Sequence, residues 1–422
     1  MFEWVTAGVV TAVVFTICYF YQAVYLLAPF LIRRAAKPEG KVAQLRYAVL
    51  VPARNEAAVI AQLISSVARQ DYPPEKITVF VVADNCSDDT ARLAGEAGAT
   101  VWERRDEKSV GKGHALDFLF AKVFASCGHD RFDGFFVFDA DNLLDKNYVA
   151  EMNRTFCRGH RVVTSYRNSK NYAANWLSAG SSLWFLRESK YMNHSRMLLG
   201  TGCAVSGTGF LVSAEVARAN GGWPFHLLTE DIEFSVHCAL AGERIAFCPT
   251  AVFYDEQPVT FRASWNQRIR WARGFWQVFR RYGAALVKSV PGKNGFYAFD
   301  MLMTVLPGMA VTAVGLTLNA AAIVAGTLAG VDVAAVTALF LRALATLYAL
   351  LFAIGAVTLA TEWKLIRCRA FFKVAYLPTF PLFMLTYVPV VLAAMFSRVK
   401  WKPIPHAPAE SFYAETGKKP LP

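Results

Sequence analysis

The segment Gly134-Phe135-Phe136-Val137-Phe138-Asp139-Ala140-Asp141-Asn142 decides how this chain is read. A short apolar run without alternation suits a strand covered on both faces, as in a parallel sheet. The run stops at two aspartates with one residue between them. On extended backbone such residues share a side. Two carboxylates there can hold Mg²⁺ or Mn²⁺, hard cations that favour oxygen and often share substrate phosphates. A plain strand-end turn fits the same residues, since Asp and Asn are turn formers.

Working outward, short β-branched or aromatic runs at 47–51, 77–83 and 100–103 alternate with helical patterns at 56–70, 88–97 and 115–125. That alternation predicts an α/β domain over 46–258, a mainly parallel sheet with helices on both faces. Ligands of such sheets bind beyond the carboxyl ends of the strands. Those ends carry Arg54-Asn55-Glu56, Asp84-Asn85 and Asp139-Ala140-Asp141-Asn142. Asp84 is placed to accept hydrogen bonds from a base or ribose, while Ser87 or Asp88 can cap the next helix. Gly111-Lys112-Gly113-His114 lacks the spacing of a P-loop, and no Gly-x-Gly-x-x-Gly follows the first strand, which argues against NAD. Lys112 can meet a diphosphate or simply face solvent.

Thr229-Glu230-Asp231 and Gln267-Arg268-Ile269-Arg270-Trp271 bound the stretch that carries the chemistry. Asp231 is the candidate general base. A like-charged neighbour, Glu230, and partial burial both raise a carboxylate pKa towards neutrality. The plainer reading is that Thr229 or Asp231 caps a helix starting near Ile232. Gln267, Arg270 and Trp271 share one helical face, because positions i, i+3 and i+4 align. Arginine can clasp a diphosphate through two hydrogen bonds, and an indole offers a flat platform for a sugar ring. Interfacial anchoring by Arg and Trp is the alternative.

The chain has 422 residues, 55% of them hydrophobic, and a positive mean hydropathy, which points to an integral membrane protein. The net charge of +12 sits beside apolar spans and on one amphipathic helix, so anionic lipid explains it better than nucleic acid. Eight scattered cysteines without a Cys-x-x-Cys pair read as reduced thiols. Apolar segments at 4–32, 299–325, 333–360 and 374–396 are each long enough to span a bilayer. Arg33, Arg34 and Lys37 place the following domain in the cytoplasm. Arg342 is expected to face the bundle or a polar path, and Pro378, Pro381 and Pro389 to kink or break the last segment. Segments 175–199 and 262–282 read as amphipathic helices for the bilayer interface, or as helices packed on the core. The expected organisation is a membrane helix (1–34), the α/β domain (46–258), an interface region (259–297), a helical membrane bundle (298–397) and a basic tail (398–422).

Val51-Pro52-Ala53-Arg54-Asn55-Glu56, Asp84, Asp139-Ala140-Asp141, Thr229-Glu230-Asp231 and Gln267-x-x-Arg270-Trp271 stand in one order. In this the chain resembles the membrane-embedded family 2 glycosyltransferases, which include cellulose, chitin, hyaluronan and poly-N-acetylglucosamine synthases. The resemblance implies a GT-A catalytic domain and a UDP-sugar donor held by Asn55, Glu56, Asp84 and Lys112. It implies Mg²⁺ or Mn²⁺ at Asp139 and Asp141, and inverting transfer with Asp231 as base. Gln267, Arg270 and Trp271 would meet the diphosphate and the acceptor. Ser206-Gly207-Thr208-Gly209 resembles the family's acceptor loop. The expected activity is extension of a β-linked polysaccharide by a multi-pass enzyme of the cell membrane, with outward threading of the product as a further expectation. The alternative acceptor is a membrane lipid, since related ceramide and diacylglycerol glucosyltransferases share these motifs. The family's large synthases carry more spans, so a polymer conduit here would need association of chains or help from the amphipathic helices. A non-catalytic membrane scaffold or transporter is the remaining reading.

Overall fold

The computed structural model of the chain describes residues 20–32, 42–306 and 333–397, with residue 16 and scattered positions between 314 and 330. Its centre is β1 (Tyr47–Ala53), whose side chains are buried along nearly its whole length. Strand β2 (Ile77–Asp84) and strand β4 (Gly134–Val137) flank it, both parallel, and β3 (Thr100–Arg104) extends the sheet beyond β2, also parallel. The helices between them are α1 (Tyr21–Leu31) at the amino end, α2 (Ile60–Ala68), α3 (Thr90–Glu96) and α4 (Lys112–Cys127). This half matches the expected alternation.

The second half departs from it. After β5 (Leu143–Leu144) and α5 (Tyr148–Phe156) come β6 (Val162–Ser169), β7 (Phe210–Ser213) and β8 (Ile245–Asp255). Strand β7 runs antiparallel to both β4 and β6, and β5 antiparallel to β8, while β6 and β8 are parallel. The eight strands stand in the order β3-β2-β1-β4-β7-β6-β8-β5, a mixed sheet in which four of the seven pairings are parallel, as expected, and three are antiparallel, which was not expected. Alternation along β1 still divides the core. Ala48 and Leu50 join Leu116, Phe120 and Trp223 on one face; Val49 and Val51 join Leu63, Tyr148 and Met152 on the other.

Between β6 and β7 runs one long helix with an insertion. It comprises α6 (Trp176–Arg187), a π-helical turn Glu188–Asn193 and α7 (His194–Leu199). Asn175 caps it in a capping box with Ser178. Most of α6 is buried, so the segment expected in a bilayer interface is packed into the molecule, the second of the two readings above. It lies against a broken carboxyl-terminal unit of α13 (Ala370–Ala375), α14 (Thr379–Leu385) and α15 (Tyr387–Phe396). The breaks fall around Pro378 and Thr386, in keeping with the prolines. At Gly180 a Cβ would come within 2.5 Å of the Phe383 ring, so glycine is what lets α14 approach.

The remaining elements are α8 (Ala214–Ala219), α9 (Glu230–Ala241), α10 (Phe261–Ser289), α11 (Gly295–Val305) and α12 (Val333–Thr361). Among the described residues two helical stretches, Phe340–Thr361 and Thr379–Phe396, are long and apolar enough to cross a membrane. Helices α1 and α11 are 11 residues each. The four-span expectation is therefore not carried by the described residues. Most of segment 4–20, much of segment 299–325 and the tail 398–422 lie outside them. Arg342 is exposed on α12, as are its neighbours from 341 to 347, so no described residue buries it. Asp300 ties the outer helices to the domain. It forms a bidentate ion pair with Arg196 (2.7 and 3.1 Å) and accepts hydrogen bonds from the Tyr21 and Tyr25 hydroxyls, at 2.9 Å each.

Candidate active site

The parallel half of the sheet delivers its strand ends to one cavity of about 590 Å³. Glu56 comes from the loop after β1, Asp84 from the end of β2, and Asp139 and Asp141 from the loop after β4. Lys112 enters at the first residue of α4. Its close approach depends on Gly113, where a Cβ would lie 2.0 Å from the Phe225 carbonyl. Lys112 Nζ is 2.5 Å from Asp139 Oδ1, donates to the Gly207 carbonyl at 2.7 Å, and stands 3.8 Å from Glu230.

Glu230 and Asp231 begin α9, two residues earlier than the expected start, and Thr229 makes no side-chain cap. Burial raises both carboxyls; Lys112 opposes this, and Asp231 adds to the rise of Glu230, to about 8. Asp231 Oδ2 accepts a 2.6 Å hydrogen bond from the Gly207 amide, in a turn where Gly207 has φ +77°. The candidate base is thus aimed by backbone, which a side-chain substitution elsewhere would not easily shift. Helix α10 closes the cavity with Gln267, Arg270 and Trp271. It sits near because of Gly274, whose Cβ would fall 2.5 Å from Thr229 Cγ2.

Eleven of the residues singled out from sequence therefore line one space: Glu56, Asp84, Lys112, Asp139, Asp141, Gly207, Glu230, Asp231, Gln267, Arg270 and Trp271. Three do not. Asn55 is an exposed left-handed residue (φ +57°) whose Oδ1 accepts from the Ser87 amide at 2.8 Å, and it stands outside the cavity lining. Thr208 is buried, donating to Asn142 Oδ1 at 2.5 Å and accepting from the Asp139 amide at 2.8 Å. Gly209, at φ +67°, makes room for the Phe253 ring, which a Cβ would meet at 2.2 Å. Through its hydrogen bonds Thr208 ties down the loop that carries Asp139 and Asn142. Asp84 reaches the cavity already engaged: Arg104 donates to Oδ1 at 2.6 Å and Asn85 at 3.0 Å.

Asp139 and Asp141 offer the hard oxygens a divalent cation takes. Asp141 is held more firmly, accepting from the Glu256 amide at 2.8 Å and from Asn142 at 3.1 Å. Among the described residues no three His, Cys, Asp or Glu gather closely enough to bind a metal by themselves. A cation at this pair would complete its shell with phosphate oxygens, which is the habit of Mg²⁺ in phosphoryl sites.

Several lining residues were not anticipated. Glu188, at the first position of the π-helical turn, has its carboxyl raised by burial, with Arg167 and a Ser206 hydrogen bond opposing. Arg167 is bound to Asp255 (Nε–Oδ2 2.7 Å) and lies 3.5 Å from the Phe185 ring centre. No spacing in the sequence marks an inserted residue in a helix, so Glu188 was not legible. Arg268 lies inside the Gln267–Trp271 motif, and its burial, which sets it apart from its neighbours, has no mark in the sequence. Away from the carboxylates the same cavity is walled by Trp184, Met303, Leu306, Leu347, Leu351, Met384, Val388 and Val391.

A sheet that gathers acidic strand ends against one lysine and a capping helix, with a carboxylate opposite, defines a GT-A type glycosyltransferase fold. Residues 44–274 match the model of the family described as "Glycosyltransferase like family 2", and the chain belongs to that family. It is 27% identical over 266 residues to the probable glycosyltransferase YdaM of Bacillus subtilis, covering 58% of each chain. It is 25% identical over 272 residues to a beta-monoglucosyldiacylglycerol synthase of Synechocystis, covering 62% of this chain and 55% of that one. With a poly-beta-1,6-N-acetyl-D-glucosamine synthase of Staphylococcus aureus it shares 25% over 279 residues, 64% of each. The matches thus span less than two thirds of these relatives. A solved mannosyltransferase, PcManGT from Pyrobaculum calidifontis, in complex with GDP-Man and Mn²⁺, shares the fold. The TM-score is 0.58 at 17% identity, covering 93% of this chain and 99% of that one.

Proposed function

We propose that the chain is an inverting glycosyltransferase that moves a sugar from a UDP-sugar to the hydroxyl of a membrane lipid. The observation that carries the acceptor choice is the mixed lining of the cavity: carboxylates and Lys112, together with an apolar wall drawn from five helices. A sugar donor needs the first and an acyl chain the second.

In this reading Asp231 takes the proton from the acceptor hydroxyl. The oxygen attacks the anomeric carbon from the side opposite the diphosphate, the bond from that carbon to the diphosphate oxygen breaks, and configuration inverts. Lys112, Arg270 and Gln267 face the departing diphosphate, where fixed donors stabilise developing charge. Trp271, edge-on to Phe185 with ring centres 6.0 Å apart, walls the acceptor side. Asp139 and Asp141 would hold a divalent cation, which supplies charge neutralisation at the diphosphate when bound. Helices α12 and α14–α15 would place the cavity mouth against lipid, the catalytic domain lying on the cytoplasmic side.

The relatives include a lipid-modifying synthase and a polymer synthase, so extension of a β-linked polysaccharide is the second reading, favoured by the Gln267-x-x-Arg270-Trp271 element. Purified protein in detergent is given single radiolabelled UDP-sugars with Mn²⁺ or Mg²⁺, and products are extracted into organic solvent and sized. One sugar on a lipid-phase product supports the proposal; a water-soluble ladder moves the reading to the polymer, and no transfer from any donor ends both.

A further inference from the structure

Arg268 carries a charge that the described protein does not neutralise. Its side chain is 1% exposed, on the face of α10 that meets the carboxyl-terminal helices. Nε donates to the Ser264 carbonyl at 3.2 Å. One terminal nitrogen donates to Thr386 Oγ1 at 2.5 Å and to the Phe383 carbonyl at 3.5 Å. The other terminal nitrogen, Nη2, is buried with no hydrogen-bond partner. No carboxylate forms an ion pair with Arg268 among the described residues. Instead the guanidinium lies 4.8 Å from the Phe383 ring centre and 4.9 Å from that of Tyr387. A buried charge without a counter-ion is costly, and an incoming anion removes that cost.

The residue also lines the cavity, on its apolar side, one turn from Trp271. A second arginine stands nearby. Arg187 lies over the Trp184 ring (5.2 Å), and that ring packs on Tyr387 at 6.2 Å. The hydrogen bond that Arg187 makes is to Gln22 Oε1, at 3.2 Å, and it too has no ion pair among the described residues. Two guanidiniums without an ion pair among the described residues thus flank one pair of aromatic rings; the Glu188 carboxylate acts on Arg187 and offsets part of its charge, and Arg268 has no such neighbour among those residues. A headgroup would sit there if a tail lay along the wall. Arginine suits a phosphate, through planar, charge-assisted hydrogen bonds.

We propose that Arg268, aided by Arg187, forms a subsite for the phosphate of an anionic lipid that occupies the apolar side of the cavity. This rests on the lipid-acceptor reading and adds a charge requirement to it. The test measures binding, so it does not depend on turnover. Full-length protein in a neutral detergent is titrated with brominated phosphatidylglycerol and, separately, with brominated diacylglycerol, following quenching of tryptophan fluorescence. The wild type should bind the anionic lipid on the order of tenfold more tightly, as hydrogen bonds to charged groups allow. R268Q should bring the two lipids to near parity, and R268K should keep part of the difference. Saturating UDP with Mn²⁺ should leave the preference in place.

Equal wild-type affinity for the two lipids overturns the inference while leaving a lipid acceptor standing. Binding of neither lipid removes both. Displacement of the anionic lipid by UDP, or equal affinity for inorganic phosphate, assigns the arginine to a donor or a free anion and overturns it too. A purely structural Arg268 would change thermal unfolding in R268Q without changing the ratio between lipids. The wild-type measurements decide even if R268Q does not fold.

Discussion

At the scale of single residues, the chemistry concentrates on Asp231. Replacing it with Asn keeps shape and removes the proton acceptor. Transfer should fall by about 10²–10⁴-fold, while UDP affinity, measured by calorimetry, should stay within about threefold, because the base acts in the transition state. The pH dependence follows from burial, which raises the Asp231 carboxyl. The ionised form is the active one, so kcat/KM should fall as pH drops through that raised value. The acid limb should therefore lie above the ordinary aspartate value of about 4; a limb at the ordinary value would remove Asp231 from the role. Asp84 lines the cavity and is also paired with Arg104 through Oδ1. Its buried pairing with Arg104 means that Arg104→Leu strands a carboxylate, at a cost of about 3–5 kcal/mol, readable as a lowered Tm. What sequence revealed at this scale was residue type at strand ends. Asp139, Lys112 and Asp231 converge as their positions imply, because strand order fixes where strand ends go. Asn55, Thr208 and Gly209 were legible as a motif, but their place outside the cavity lining was not, since it is set by backbone geometry and hydrogen bonds invisible in one dimension.

At the scale of elements, local pattern located the strands well, and partner direction poorly. The apolar runs of β1, β2, β3 and β4 fall within a few residues of expectation. Whether β7 pairs antiparallel with β4 depends on the path of the intervening α5 to α7, which no local pattern records. The π-helical turn at 188–193 is likewise silent, though it sets Glu188 into the cavity. Helix α6 was ambiguous for a physical reason: an apolar stripe is the same stripe whether it meets lipid or protein. One contact between elements bears directly on catalysis. Helix α10 comes close to the Thr229 loop only because position 274 lacks a Cβ. Gly274→Ala should push them apart, since overpacking costs about 1–3 kcal/mol in a rigid site. The expected result is a kcat lowered at least severalfold with a modest drop in Tm; unchanged kcat would mean that the loop tolerates the shift and that the close approach is incidental to the chemistry.

At the scale of the whole molecule, the question is what keeps apolar outer helices in register with a catalytic sheet. Composition predicts membrane association, and the described residues offer two helical stretches long and apolar enough to cross a membrane, with Leu344 and Leu350 of α12 exposed. Composition gave no hint of how those helices are fastened. Asp300 on α11, completely buried, receives Arg196 from α7 and two tyrosines from α1, so three elements distant in sequence share one carboxylate. Such a group stabilises little relative to an apolar filling, because both charges were taken from water. Its removal from one side is a different matter. Asp300→Leu leaves Arg196 buried and unpaired, and should cost about 3–5 kcal/mol, seen as a large fall in Tm in detergent. Adding Arg196→Met should recover much of that loss, since the stranded charge disappears with it. Transfer activity separates fastening from folding. If the double variant recovers Tm but not kcat, the ion pair serves to hold α1 and α11 where the cavity needs Met303, Thr304 and Leu306. If kcat recovers with Tm, packing alone positions those helices, and the pair contributes no alignment of its own.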